Sequence, residues 1–284
     1  MIRARLAASA LCASLVVVSA APPARAAPGD GELQVNRTVS ASFTLAGGIV
    51  WILSESVFKP DLAPQACRWC DGDSLNAVDR GVRDALRWDD IHSAQTLSNV
   101  TGYVAVPLAG LGLLALAGWQ DERSRGEILD DELVVIEAVV GAALLDQGVK
   151  LIAGRERPFV HDLPAGDKGD NPDDNNVSFY SGHTSLTFSI AVASGTVASL
   201  RGYRAAPWIW ASGLTLAGAT GYLRIAGDKH YFTDVLTGAV VGSFVGFAVP
   251  YWLHRRSGGG EAAPAAAFGA GWQSGPVVSW GGTF

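Results

Sequence analysis

The chain has 284 residues, 49% of them hydrophobic and only 17% charged, with a formal net charge of −6. That length suits one or two domains, and the acidic balance excludes a nucleic-acid partner gripped by a basic face. The apolar excess is gathered into long runs, which points to membrane helices.

Residues 1–26 read as a secretory signal: Arg3 and Arg5, an apolar stretch from Leu6 to Ala20, then small residues ending in Ala24-Arg25-Ala26, with cleavage expected after Ala26. An uncleaved first anchor is the alternative. Leu11 before Cys12 does not suit a lipid-anchor site. The run Phe43 to Leu53 is eleven residues long, carries Gly47-Gly48 and is followed by Glu55, which fits a re-entrant, interfacial or buried helix better than a full span. Residues 59–98 have mixed charge, rich in Asp, with a helix expected around Leu75 to Leu86; they read as a solvent-side loop or cap.

Five longer apolar segments follow: 99–119, 133–153, 184–200, 207–226 and 234–253. None alternates with period two, so no strand is expected. The expected fold is all-α, a multi-span membrane helical bundle. Residues 27–98 form a partial helix and periplasmic cap, 99–256 the bundle, and 257–284, rich in Gly, Ala and Pro, a flexible tail.

Arg123 and Arg125, Arg201 and Arg204, and Arg255 and Arg256 fall in alternate connections, which the positive-inside rule places in the cytoplasm. The remaining connections then face the periplasm of a bacterial inner membrane. This agrees with a cleaved signal only if the 43–53 run does not cross. On that topology Cys67 and Cys70 lie in an oxidising compartment and can form a disulfide. A redox or metal role for the Cys-x-x-Cys unit lacks a second pair of ligands.

Three polar stretches fall at one membrane face. Lys150 is followed by Arg157-Pro158; Phe179-Tyr180-Ser181-Gly182-His183 opens an apolar helix; Arg224 precedes His230 and Asp234. A helix start offers free N–H groups and a positive dipole end, both suited to an anion, with Ser181 as an N-cap and Gly182 leaving the backbone open. Lys150, Arg157 and Arg224 can neutralise a phosphoryl group that gains charge in its transition state. His230 and Asp234, four apart, share a helix face, so the carboxylate can bond the ring N–H and free the other nitrogen to attack phosphorus. His183, from another helix, can protonate the leaving oxygen. The three cations do not suit a bound metal, and no cofactor is expected. Each residue alone also fits an ordinary capped helix end or an interfacial side chain.

Together the three motifs resemble the signature of the type 2 phosphatidic acid phosphatase superfamily, which shares its site with vanadium haloperoxidases. The resemblance covers residues 133–253. It implies His230 as a nucleophile forming a phosphohistidine, Asp234 as its orienting partner and His183 as the general acid. It further implies that Lys150, Arg157, Ser181, Gly182 and Arg224 hold phosphate, without a metal. Tyr180 stands where the family often has Pro, and Leu223 where it often has Ser. The function implied is a membrane lipid phosphatase acting on a phosphomonoester or pyrophosphate at the periplasmic face. The alternatives are a vanadium-dependent haloperoxidase and a non-catalytic phospholipid-binding protein. The sequence leaves oligomeric state open. The acidic run Asp167 to Asn176 lacks the spacing of a calcium loop and reads as a solvated loop over the site.

Overall fold

The computed structural model describes residues 33–70, 75–164, 168 and 172–255. The expected signal at 1–26, the tail at 257–284 and part of the acidic loop at 167–176 lie outside the described residues. Among the described residues there are seven longer helices: α1 Arg37–Ser56, α2 Ala77–Leu86, α3 Ile91–Gln120, α4 Arg125–Ala153, α5 Gly182–Leu200, α6 Ala206–Ala226 and α7 Phe232–Leu253. Among the described residues there is no strand, only two isolated bridges.

Local sequence sets the helix ends. Asn36, Asn76 and Asp90 each accept a backbone N–H from the first turn of α1, α2 and α3. Ser124 and Glu127 form a reciprocal capping box on α4, which stops at Gly154 with φ of 58°, a left-handed conformation that glycine adopts without cost.

α5 stands at the centre, packed by α7, α6 and α4, while α1 lies against α4. Nearly all of α5 is buried, so its Ser, Thr, Ala and Gly residues meet protein rather than lipid. Its contact with α7 runs along Gly238, Gly242 and Gly246, one per turn. A Cβ at Gly238 would lie 2.6 Å from the Ser181 carbonyl oxygen and one at Gly246 2.6 Å from that of Ser189, with Gly242 tighter still against Ser185. Absent side chains thus let the two backbones touch. A continuous apolar core of Val134, Val135, Ala138, Ala193, Val197 and Ile209 fills the half of the bundle away from α2.

Three described helices are long and apolar enough to cross a membrane: α1 with 20 residues, α3 with 30 and α7 with 22. α1, expected as a re-entrant, interfacial or buried helix, is thus long and apolar enough to cross. α1 extends well beyond the eleven-residue apolar run because Asn36 starts it early, and Val39, Phe43, Leu45, Ile49 and Ile52 face outward. α4, α5 and α6 have comparable lengths but carry more polar and small residues, and α5 is buried among the helices around it. α3 begins at Ile91, so the boundary expected after residue 98 falls inside a helix.

The two ends differ. At one, Arg37 pairs with Asp130 at 2.6 Å, Arg201 with Asp131 at 2.7 Å and Arg204 with Asp121 at 2.8 Å, and Gln34 bonds the His254 carbonyl. Trp119, Trp208 and Trp252 ring that end, 72%, 75% and 60% exposed, in the manner of an interfacial aromatic belt. α2 and the connections at 154–164, 172–181 and 227–231 close the other end.

Candidate active site

The site assembles where α4, α5 and α6 end or begin. At the C-terminus of α6 the Arg224 carbonyl accepts the N–H groups of Lys229, at 3.1 Å, and His230, at 3.3 Å. That turn is what the five intervening residues build, bringing the Arg224 and His230 side chains to one place. His230 is buried and lies in the field of Arg157, Arg224, Lys150 and His183. Its Nδ1 is 2.8 Å from the Ser178 carbonyl oxygen, which can only accept, so the proton sits on Nδ1. Nε2 is then left with its lone pair and faces Nη1 of Arg157 at 3.2 Å. Burial first, and then the three cations, push the ring well below its ordinary pKa, so at neutral pH it is an uncharged imidazole.

Asp234 does not hold the ring as the spacing suggested. Its carboxylate is 3.9 Å from Nδ1, because both oxygens are already engaged. One accepts from Arg155 at 2.6 Å; the other accepts the Ser178 hydroxyl at 2.6 Å and the Tyr231 N–H at 3.0 Å. The helical argument fails because Tyr231 is the N-cap of α7, leaving His230 in the turn ahead of the helix. Asp234 reaches His230 through Ser178, whose hydroxyl it binds and whose carbonyl holds the ring.

The cations gather as the motifs suggested. Arg157 spreads its guanidinium over the Lys229 carbonyl, His230 and Asp174, the last at 3.1 Å from Nη2. Arg224 is buried, donates to Ser98 Oγ at 3.1 Å and leaves its Nε without a partner, an orphan donor suited to an anion. Lys150 pairs with Asp146 at 2.8 Å. A Cβ on Gly182 would lie 2.7 Å from the Lys150 ammonium and 2.6 Å from Asp146, so the bare α5 terminus is what admits that pair. Ser181 occupies the N-cap position of α5, but its hydroxyl bonds Thr184 Oγ1 at 2.9 Å rather than a backbone N–H. His183 Nε2 lies 2.9 Å from Asn99 Oδ1.

The space beside Lys150 and Arg157, bordered by Glu55, Lys59 and Val177, is only about 20 Å³, room for a water. A larger open concavity of about 790 Å³ lies at the opposite end beside Trp119 and Arg204, away from the two imidazoles. Asp174 fills part of the cationic region: it also lies 3.5 Å from Lys229 and 3.8 Å from Lys59. Although burial works against it, Arg157, Lys229 and Lys59 hold its carboxyl below the usual carboxylate range.

Several residues escaped the sequence reading. Ser178 lies just ahead of the central motif, and its backbone oxygen carries no sequence signal. Arg155, fully buried, bridges Asp234 to Asp79 of α2, 2.8 Å away, and lies between the rings of Trp69 and Tyr231 at 4.5 and 4.3 Å. The Gly-Arg-Glu-Arg-Pro run held a clue in its first arginine. Cys67 and Cys70 are disulfide-bonded, so neither offers a thiolate to a metal, and their loop sets Trp69 over Arg155.

Residues 131–257 match the model of the PAP2 superfamily. That region belongs to the PAP2 superfamily. All three motifs fall inside the PAP2 match, whereas Asp79, Ser98 and Asn99 lie ahead of it. Over 76 residues the chain is 40% identical to the lipid A 1-phosphatase of Porphyromonas gingivalis. The aligned stretch is 27% of this chain and 16% of that relative, so the chain spans about a sixth of the curated protein it matches. The solved PAP2-type phosphatidylglycerolphosphate phosphatase of Bacillus subtilis aligns over 74% of this chain and 93% of its own, at 17% identity and a TM-score of 0.44, a likeness too loose to bear on the site.

Proposed function

We propose that the chain is a membrane lipid phosphatase that cleaves a phosphomonoester or pyrophosphate through a phosphohistidine on His230. The observation that carries this reading is the His230 ring itself, uncharged, fixed through Nδ1 by the Ser178 carbonyl and aiming Nε2 into the field of Lys150, Arg157 and Arg224.

The Nε2 lone pair forms a bond to phosphorus while the bond from phosphorus to the leaving oxygen breaks, and His183 gives that oxygen a proton. Water then attacks the phosphohistidine, His183 takes the water's proton, and phosphate leaves with Nε2 restored. Throughout, Lys150, Arg157 and Arg224 and the free N–H groups at the start of α5 offset the charge on the equatorial oxygens. Preorganised donors of this kind are each worth about 3 kcal/mol of barrier. No step calls for a metal.

A lipid substrate fits a site at the end of an apolar bundle, since the tail stays in the bilayer while the headgroup reaches the cations; the likeness to a lipid A 1-phosphatase over 76 residues supports this. The reading also has an orientation. Arg37, Arg123, Arg201, Arg204 and Arg255 share the end opposite the site, so the positive-inside rule places that end in the cytoplasm and the site at the periplasmic face of a bacterial inner membrane. The disulfide at the site end suits that compartment. With α1 crossing, this orientation puts the start of α1 at Arg37 in the cytoplasm, which sets it against the expected cleavage after Ala26.

The test is phosphate release from a panel of lipid phosphates and pyrophosphates by purified full-length protein, with His230→Ala as blank. Turnover by the wild type alone, inhibition by vanadate, full activity in EDTA and an acid-labile phosphoprotein are expected. Equal release by His230→Ala, or a strict divalent-ion requirement, would overturn the reading.

A further inference from the structure

His183 is not held by the segment that carries it. Its Nε2 lies 2.9 Å from Asn99 Oδ1. Its ring packs against that of Tyr103, with centroids 4.7 Å apart. Between them Gly102 presents no side chain, and a Cβ there would already lie 3.4 Å from the ring carbon Cδ2. All three residues belong to α3, and Asn99 and Tyr103, four apart, project from one face. This stretch is where α3 departs from regular geometry: Thr101–Ala105 is a π-helical turn, a feature that widens a helix and often accompanies functional sites. Next to Asn99, Ser98 accepts from Arg224, and Thr101 bonds Thr220 of α6 at 3.0 Å, so α3 is anchored on both sides of the contact.

We infer that Asn99 is a positioning residue for leaving-group protonation, acting through His183 from a helix segment outside the PAP2 match. The amide oxygen accepts the Nε2–H, which fixes the ring's rotation and leaves Nδ1 as the nitrogen that hands its proton to the departing oxygen. The oxygen of an amide stays an acceptor for both the neutral ring and the imidazolium, so the bond persists as His183 cycles between them. The Tyr103 ring blocks rotation on the other side. This inference rests on the phosphatase reading.

A group that orients the general acid has a signature that a merely structural one lacks: its loss matters in proportion to how badly the leaving group needs a proton. The experiment compares Asn99→Ala with the wild-type full-length protein on two soluble monoesters, a medium-chain alkyl phosphate and p-nitrophenyl phosphate, in detergent. Expected for Asn99→Ala is a fall in kcat on the alkyl ester of about 10- to 100-fold, a part of the 10²–10⁴-fold that general acids contribute. On the aryl ester, whose phenolate leaves unaided, the expected change is about threefold or less, with KM little altered on both. Asn99→Asp, which keeps an acceptor oxygen, should keep the wild-type alkyl-to-aryl ratio. If Asn99→Ala does not assemble, Asn99→Leu, close in volume and without an acceptor, serves the same comparison. Equal losses on both esters, a gain in rate, or an Asn99→Asp ratio like that of Asn99→Ala would overturn the inference. Failure of the wild type to hydrolyse either ester would instead strike at the phosphatase reading.

Discussion

Replacing Arg155 by Met tests how the site is held together. Arg155 has no exposed surface, and its guanidinium joins Asp234 at 2.6 Å, Asp79 at 2.8 Å and Thr233 Oγ1 at 2.8 Å between two aromatic rings. Methionine fills much of the same space but leaves two wholly buried carboxylates without their cation. Removing one partner of a buried ion pair costs about 3–5 kcal/mol. The lower end applies here, because Asp79 keeps bonds from the Thr233 N–H and hydroxyl, and Asp234 keeps the Ser178 hydroxyl and the Tyr231 N–H. For a chain of this size about 3 kcal/mol corresponds to a fall in Tm of roughly 6–12 °C. Thermal unfolding of the purified protein in detergent, followed by tryptophan fluorescence, reads it directly. Adding Asp79→Asn should return part of the loss, a coupling of at least about 1 kcal/mol in a double-mutant cycle. An Arg155→Met protein melting within about 2 °C of wild type, or a double variant no more stable than the single one, would show that the cluster does not carry the load assigned to it here.

Three further outcomes are expected. Gly182→Ala drives a methyl group into the Lys150–Asp146 pair, so KM for the lipid phosphate should rise by about tenfold while the fold survives, as read by steady-state kinetics beside a melting curve. Gly242→Ala puts a methyl group against the Ser185 carbonyl and should destabilise the bundle by about 1–3 kcal/mol, seen as a lower Tm; an unchanged Tm would mean that α5 and α7 are not in backbone contact. Asp174→Asn removes a carboxylate that competes with phosphate for Arg157, so vanadate should inhibit the variant at several-fold lower concentration. The pH dependence of that clamp follows from its sign. The Asp174 carboxyl is depressed in the fold, so its contribution is complete above about pH 4, the unfolded value, and is lost as pH falls through the folded one. Wild type and Asp174→Asn should therefore differ in vanadate sensitivity throughout the neutral range and converge only in strong acid.

The sequence made the helical class and the gathering of the three motifs legible, because spacing along a helix or across a tight turn is a local property. The five residues between Arg224 and His230 are one such turn, and the mixed-charge segment before α3 does contain the expected helix at Ala77–Leu86. What depends on partners distant in the chain was hidden. His230 and Asp234 looked like a helical pair until Tyr231 proved to be the cap; the ring is held instead by a carbonyl 52 residues away. Asn99 was only the first residue of the apolar 99–119 segment, and nothing local linked it to His183, 84 positions on. The length of α1 was underread because Thr38, Ser40 and Ser42 dilute its hydropathy, although Asn36 marks its start.

The glycine ladder between α5 and α7 fixes more than packing. The Ser181 N–H also donates to the Asp234 carbonyl at 3.1 Å, so the head of α5 and the head of α7, whose Asp234 holds His230 through Ser178, are bolted into one stiff frame. With so little clear volume beside Lys150, the proposed reaction would need a headgroup to enter past pieces hung outside that frame: Glu55 at the end of α1 with Lys59 just beyond it, and the segment bearing Asp174. Under the proposed reaction, admission and chemistry would thereby fall to separate parts, and a lipid headgroup would enter without disturbing the aim of the His230 imidazole.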